Sequence, residues 1–238
     1  MGVAPPNAVE VRPTRRRAAP VSAVRGRVLR SALVWLLTLA PGPALADSPP
    51  VKTLLELRHQ NVVVQKYDLS CGAAALATLL KFQFGDPVRE QEINLGMIRR
   101  KEYIENPELV RVRQGFSLLD MKLFVDSRGY EGIGYGQLDM DDLVKFAPII
   151  VPVSPLGYNH FVVFRGVLRD QVLLADPAYG NRTMSREKFE RIWIDFPELG
   201  KVGFIVTRYG KPAPPGALAP RADEFITLPR PVTGSSLY

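Results

Sequence analysis

The sequence predicts an α+β fold, because a region with helical patterns is followed by a region with strand patterns. The first observation is the run from residue 71 to residue 82, which is rich in Ala and Leu and contains no proline, as expected of a buried helix. The second is a change after residue 147, where short apolar or β-branched runs are separated by Pro, Gly, Asn and Asp. Helices first and strands second is the order of an α+β protein.

The first 46 residues have the basic, apolar and small order of a secretory signal peptide. Seven arginines and one acid give this segment a charge of +6, and an apolar stretch of ten residues, 31–40, follows the arginines. That stretch is shorter than the roughly 20 residues that span a bilayer, and residues 44–46 offer small side chains for cleavage. An uncleaved anchor is the alternative. We expect residues 47–238 to be a soluble mature protein in the periplasm.

Helix signals follow a short lead-in and an extended segment predicted for residues 59–65. A polar loop ends at Cys71, where the Ala- and Leu-rich helix begins. Pro87 suits the first turn of a second helix, and Ser117 with Asp120 resembles a capping box that opens another. Further helices are predicted for residues 87–100, 117–127, 139–146 and 186–191.

Strands are predicted from the second half of the chain, at residues 148–153, 161–168, 172–175 and 203–208. From residue 210 the chain is rich in Pro and Ala, which indicates a loose tail. The predicted domains are therefore a signal peptide at 1–46, one folded domain at 47–209 and a tail at 210–238.

The charge distribution gives no support for a nucleic-acid partner. The whole chain carries +7, but most of this charge lies in the predicted leader. The remainder has 24 basic and 23 acidic residues, so its surface is close to neutral. The sequence also contains no paired metal-ligand spacing and no phosphate-binding glycine loop, so we expect no metal or cofactor.

The single cysteine is the residue that most needs an explanation. A protein exported to an oxidising compartment with one Cys cannot form an internal disulfide, which leaves intermolecular pairing or a reactive thiol. Cys71 lies where a helix N-terminus would favour the thiolate, and Gly72 would leave room for a substrate. Gln65, six residues earlier, could join the Cys71 N–H in an oxyanion hole.

A base for this thiol must come from one of two histidines. His160 opens a predicted strand, and the run from His160 to Asp176 predicts a hairpin with a turn at Arg169 and Asp170. The hairpin returns Asp176 toward His160, where a carboxylate would select the tautomer and stabilise the imidazolium. His59 is interpreted as structural or solvent-exposed. Each residue alone also suits a structural role, but their order together favours catalysis.

At these residues the sequence resembles the C39 peptidases, the papain-like domains of bacteriocin-processing transporters. The resemblance covers about residues 60–208 and rests on Gln65 spaced from Cys71 and Gly72, on Asn159-His160 and on Asp176 before a proline. It implies a two-lobed fold, with the Cys on a helical lobe and His and Asp on an antiparallel sheet lobe. It also implies cleavage after paired small residues, often Gly-Gly, at the end of a leader.

The motifs of this sequence differ from those of the transporter-linked C39 peptidases. Ser70 replaces the Asp that precedes the nucleophile, no transmembrane or ATPase domain follows, and a signal peptide precedes. The sequence is therefore similar to stand-alone periplasmic members, which include the peptidase of functional-amyloid secretion systems.

We therefore predict a periplasmic cysteine endopeptidase that cleaves a co-exported protein or peptide with Cys71, His160, Asp176 and Gln65. Outer-membrane secretion or amyloid machinery is a candidate partner. The alternatives are a catalytically silent binding or chaperone module on the same fold, and another thiol acyltransferase such as an amidase or a transglutaminase-like enzyme.

Overall fold

The computed structural model describes residues 52–208, 216, 218–221, 224 and 225. The predicted signal peptide, 1–46, lies outside these residues, and the division of the chain into three predicted segments stays a prediction. None of the helices in the described part is both long enough and apolar enough to cross a membrane. The helices are α1 Leu54–His59, α2 Cys71–Phe84, α3 Glu90–Ile98, α4 Lys101–Glu105, α5 Leu109–Val112, α6 Leu118–Ser127, α7 Met140–Phe146 and α8 Arg186–Ile192. The strands are β1 Tyr130–Tyr135, β2 Ile149–Val153, β3 His160–Leu168, β4 Gln171–Asp176, β5 Gly180–Ser185, β6 Asp195–Phe196, β7 Gly200–Lys201 and β8 Gly203–Arg208.

Helix α2 is the central helix, and nearly all of its residues are buried. The three alanines after Gly72 have no exposed surface, which allows the helix to pack closely on β3. The helix ends at Gly85, which adopts the left-handed conformation (φ 70°) that a C-terminal cap requires. The predicted start at Cys71 is confirmed.

Six strands form one antiparallel sheet in the order β1-β8-β2-β3-β4-β5. Helices α2, α3 and α6 cover one face, with Leu76, Met97 and Val163 in its core. Helices α7 and α8 cover the other face, where Phe164 and Phe189 pack together. Each fully buried side chain of this size contributes roughly 1.5–3 kcal/mol. The predicted α+β class, with the Cys helix packed on an antiparallel sheet, is confirmed.

The structure contains elements that the sequence patterns did not reveal. Helices α1, α4 and α5 are short, and strands β1 and β5 form the two edges of the sheet. Helix α3 begins at Glu90 rather than near Pro87, because Arg89 is still extended (φ −97°, ψ 150°). The capping box of α6 is confirmed: Ser117 N donates to Asp120 Oδ2 at 2.7 Å, and Asp120 N donates to Ser117 Oγ at 3.2 Å.

Residues 218–221, 224 and 225, which we call the C-terminal segment, pack against the sheet. Leu218 is fully buried, and Phe225 lies beneath the guanidinium of Arg165. Arg165 donates to the backbone carbonyls of Leu218 at 3.0 Å and Ala219 at 3.3 Å. These contacts differ from the loose tail that the composition indicates, because a Pro- and Ala-rich composition does not reveal a buried arginine 53 residues earlier.

Candidate active site

The only thiol of the chain lies at the first residue of α2. Cys71 is buried and unpaired, and Ser70, which precedes it, does not cap the helix with its side chain. The Ser70 hydroxyl lies instead 2.6 Å from Tyr67 O and 2.5 Å from a carboxylate oxygen of Glu90. Since the first intrahelical bond runs from Ala74 N to Ser70 O, the N–H groups of the first turn stay available beside the thiol.

Glu90 holds the loop before the thiol. Its carboxylate is 5% exposed and accepts two hydrogen bonds from Lys66 N, at 3.0 and 3.1 Å, in addition to its contact with Ser70. The loop thus bonds at both its ends to one buried carboxylate. The sequence reasoning missed Glu90, because a glutamate in the first turn of a helix is usually only a favourable charge for that helix.

His160 and Asp176 meet at the ends of paired strands. His160 Nε2 lies 2.8 Å from Asp176 Oδ1, and both side chains are almost fully buried. The predicted hairpin and its turn are confirmed, with Arg169 and Asp170 in left-handed conformations.

A bulge in this hairpin decides which face the two side chains share. Val163 pairs with Ala175, but beyond Arg165 the pairing shifts by one residue. The shift places His160 and Asp176 on the same face of the sheet. Without the bulge the register would turn Asp176 to the opposite face, because successive side chains alternate.

The charges around His160 favour its protonated form. Burial lowers the pKa of His160, but the hydrogen bonds with Asp176 and Cys71 and the negative charges of both partners raise it more, so that the pKa is raised to about 9. Because Nε2 is bonded to Asp176, the other ring nitrogen is the one that faces the thiol. The structure therefore bonds His160 to Asp176, and Cys71 is among the groups that raise the pKa of His160.

Asp176 remains an anion although it is buried. Burial raises its pKa, but the hydrogen bond and charge of His160, the bond from Ala178 N at 2.9 Å and the charge of Arg182 lower it below its usual value. Arg182 Nη1 lies 3.2 Å from Asp176 Oδ2 and its guanidinium covers the Tyr179 ring. Arg182 was missed because the polar strand β5 that carries it has no apolar alternation.

Gln65 lies beside this constellation, and its predicted role stays a prediction. Its backbone N–H donates to Pro177 O at 2.9 Å, which ties the loop to the residue after Asp176. The side-chain amide donates to Tyr67 O at 3.3 Å. Its Oε1 atom is buried without a hydrogen-bond partner among the described residues.

Gly72 and His59 are the other two residues near the site for which the sequence predicted a role. Gly72 does not leave room for a substrate, because a Cβ there would meet Met121 Cε at 2.5 Å and Phe161 Cδ2 at 3.3 Å. Its small size instead lets α2 pack against α6 and β3. His59 is exposed at the end of α1, in agreement with its interpretation as structural or solvent-exposed.

A cavity of about 330 Å³ opens beside His160. Its wall includes Phe116, Leu118, Phe161 and Phe196, which makes it mainly apolar. Within the described residues, no group of three or more His, Cys, Asp or Glu side chains could hold a metal ion.

Comparison with known proteins decides the family. The sequence profile of the Peptidase C39 family matches residues 59–196, a span that contains the thiol, the imidazole and the carboxylate. The chain belongs to the peptidase C39 family. It is accordingly a cysteine peptidase, and the residues that the resemblance singled out all lie within the matched span.

Two relatives of this C39 peptidase carry the same description. The chain is 37% identical over 189 residues to a probable functional amyloid protease FapD of Pseudomonas fluorescens, covering 73% of this chain and 81% of that protein. It is 40% identical over 154 residues to a probable functional amyloid protease FapD of Pseudomonas aeruginosa, covering 63% of this chain and 66% of that protein.

Solved structures give weaker similarities. A double glycine motif protease from an AMS/PCAT transporter, in complex with a leader peptide, is 23% identical with a TM-score of 0.49 and covers 62% of this chain and 90% of that one. The peptidase domain of Streptococcus ComA is 22% identical with a TM-score of 0.49 and covers 63% of this chain and 99% of that one.

Proposed function

We propose that this C39 peptidase is a periplasmic endopeptidase that cleaves a co-exported protein or peptide, with Cys71 as nucleophile, His160 as acid and base, and Asp176 as the group that orients His160. The observation that carries the proposal is the buried bond of 2.8 Å between His160 Nε2 and Asp176 Oδ1, with Cys71 among the groups that raise the pKa of His160. A positive imidazole beside a thiol favours the thiolate, which is the nucleophilic form.

The reaction follows from the positions of the protons. Cys71 Sγ attacks the carbonyl carbon of the scissile bond, and the carbonyl oxygen becomes an oxyanion. As the C–N bond breaks, His160 gives its proton to the leaving amine, and a thioester remains. His160 then takes a proton from a water molecule whose oxygen attacks the thioester, the C–S bond breaks, and the thiolate and imidazolium are restored.

Gln65 and the backbone N–H of Cys71 are proposed to stabilise the oxyanion. Two features support this role: the N–H groups of the first turn of α2 have no side-chain cap, and the loop with Gln65 is bonded to Pro177 next to Asp176. A donor in such a dry site typically contributes a factor of about 10² to 10³ in kcat.

The substrate is proposed to be an exported precursor of a functional-amyloid system. The two relatives named as functional amyloid proteases support this class. The double-glycine-like cleavage site that the family resemblance implies suits the narrow approach to a buried thiol, because residues without side chains need the least space. Export by the predicted signal peptide would place enzyme and precursor in the same compartment.

The experiment that tests this function compares the N-termini of all periplasmic and extracellular proteins between strains with the natural chain and with Cys71→Ala. We expect N-termini that follow paired small residues in an exported protein to disappear in the Cys71→Ala strain while the variant accumulates normally. Unchanged N-termini would refute the proposal. Loss of a cross-linked product instead of a cleaved one would point to a thiol acyltransferase.

A further inference from the structure

The start of β3 separates two cavities of different chemistry. His160 and Phe161 line the apolar cavity, whereas the preceding Tyr158 lines a second cavity of about 650 Å³. The second cavity also contains Tyr179 and Arg182, which surround Asp176. The two cavities therefore lie next to the same short stretch of chain, which carries His160.

The second cavity is cationic. Arg58, Arg182 and Lys188 contribute to its wall, and no Asp or Glu does. Arg58 comes from the end of α1 and Lys188 from α8, so the two charges reach the cavity from separate elements. Neither of them forms an ion pair with any of the residues that the structure describes.

Arg182 connects this cavity to the catalytic chain. Only its Nη1 is bonded to Asp176, and no other acceptor in the described part of the chain takes its remaining N–H groups. The guanidinium lies 5.2 Å from the centre of the Tyr179 ring, and Tyr158 lines the same cavity. Arg182 and the two tyrosines thus line the cavity beside Asp176, and their donor groups are suited to carboxylate recognition.

We propose that this cavity binds an acidic segment of the substrate next to the scissile bond. The inference rests on the proposed peptidase function and names the chemistry of the substrate on one side of His160. Two cations without ion-pair partners, a partly used guanidinium and two hydroxyls complement glutamate or aspartate side chains. Their arrangement predicts that substrates with acids beside the cleavage site are preferred over neutral ones.

The test measures binding without cleavage. The probes are fluorescein-labelled peptides in which four Glu residues follow or precede Gly-Gly, together with matched peptides that carry four Gln residues. Fluorescence anisotropy is recorded with the full chain carrying Cys71→Ala, at low and at physiological salt. We expect one Glu peptide to bind about tenfold more tightly than its Gln counterpart at low salt, with a smaller difference at higher salt because the pairs are partly exposed.

Two double variants test whether the preference for Glu peptides over Gln peptides arises in the cationic cavity. Arg58→Gln with Lys188→Gln is expected to abolish most of the preference for the Glu peptide. The control, Lys81→Gln with Arg99→Gln, removes the same charge from exposed residues that line neither cavity and is expected to retain the preference.

Equal affinities for Glu and Gln peptides, absence of binding, or an equal loss in both double variants would overturn the inference. If the chain prefers Glu peptides but the natural chain cleaves no exported protein, the inference is supported and the proposed function is contradicted. Failure of the inference can therefore be distinguished from failure of the proposed function.

Discussion

Arg165 and Glu224 form a fully buried ion pair at the bulge that sets the register of the catalytic hairpin. Glu224 also accepts a hydrogen bond from Asn61 Nδ2 at 2.8 Å, and Arg165 donates to Asn181 Oδ1 at 3.1 Å. The pair therefore joins β3, β5 and the chain after α1, the same elements that carry His160, Arg182 and the loop toward the thiol.

Removing Glu224 should destabilise the protein strongly. Glu224→Gln leaves the Arg165 charge buried without its counter-charge, which typically costs about 3–5 kcal/mol. We expect the free energy of unfolding in urea to fall by about 3 kcal/mol. The control Glu108→Gln, at a carboxylate that is 72% exposed, should change it by less than about 0.5 kcal/mol. A loss of under about 1 kcal/mol for Glu224→Gln would contradict the role of this pair.

The bond between His160 and Asp176 predicts that both the stability and the activity of the protein decline at alkaline pH. Since the pKa of His160 is raised from 6.5 to about 9, the stabilisation by its charged form is complete below pH 6.5 and is lost as the pH rises through about 9. We expect cleavage to decline over the same interval. Asp176→Asn removes one charge and weakens one hydrogen bond that raise the pKa of His160, while burial still lowers it, so the decline should move to lower pH.

The Asp176→Asn variant should also have a kcat that is lower by about 10² or more, because the neutral amide can hold the imidazole in the wrong tautomer. The pH profile of kcat measures both effects. Asp195→Asn, at an exposed position outside the site, serves as the control. An unchanged alkaline limit in Asp176→Asn would mean that the carboxylate does not set the charge of His160.

The loop held by Glu90 should matter more for activity than for stability. Glu90→Gln weakens the contacts with Lys66 N and Ser70 Oγ, and the loop that positions Gln65 loses its common anchor. We expect kcat to fall by about tenfold or more with a smaller effect on KM, since a small displacement of an oxyanion donor is costly. The neighbouring Glu92→Gln, in the same helix turn, is the matched control. Equal kcat values for both variants would sink this prediction.

Gly72 is expected to be intolerant of a side chain. A Cβ would have to displace Met121 and come close to Phe161, and overpacking of this kind typically costs about 1–3 kcal/mol. Gly72→Ala should therefore lower the melting temperature, and the double variant with Met121→Leu should recover part of the loss. An unaltered melting temperature would show that the interface between α2 and α6 adjusts freely.

The sequence predicts those parts of the fold and site that are specified by local patterns in the chain. The run around Cys71, the β-branched residues of β3 and β4, and the capping box at Ser117 are each specified by neighbours in the chain, and these predictions are confirmed. Strand β1 contains Gly132 and Gly134, and glycines at this spacing are more typical of a loop than of a strand. In the structure a side chain at Gly132 would collide with Phe204, so packing explains that glycine.

The missed site residues depend on long-range contacts. Arg182 reaches Asp176 only because edge strand β5 pairs with β4, and Glu90 reaches Ser70 across 20 residues of sequence. The bulge at Arg165 is held by Glu224, 59 residues later. No periodicity encodes such partners, because each contact is fixed by the packing of elements that are distant in the chain.

The most direct test of the account is the rate at which iodoacetamide alkylates Cys71 at pH 6. If the imidazolium of His160 stabilises the thiolate, the natural chain should react at least about tenfold faster than His160→Gln, and His59→Gln should react like the natural chain. Equal rates for the natural chain and His160→Gln, with both folded by circular dichroism, would contradict the central claim that these two side chains act as one catalytic pair.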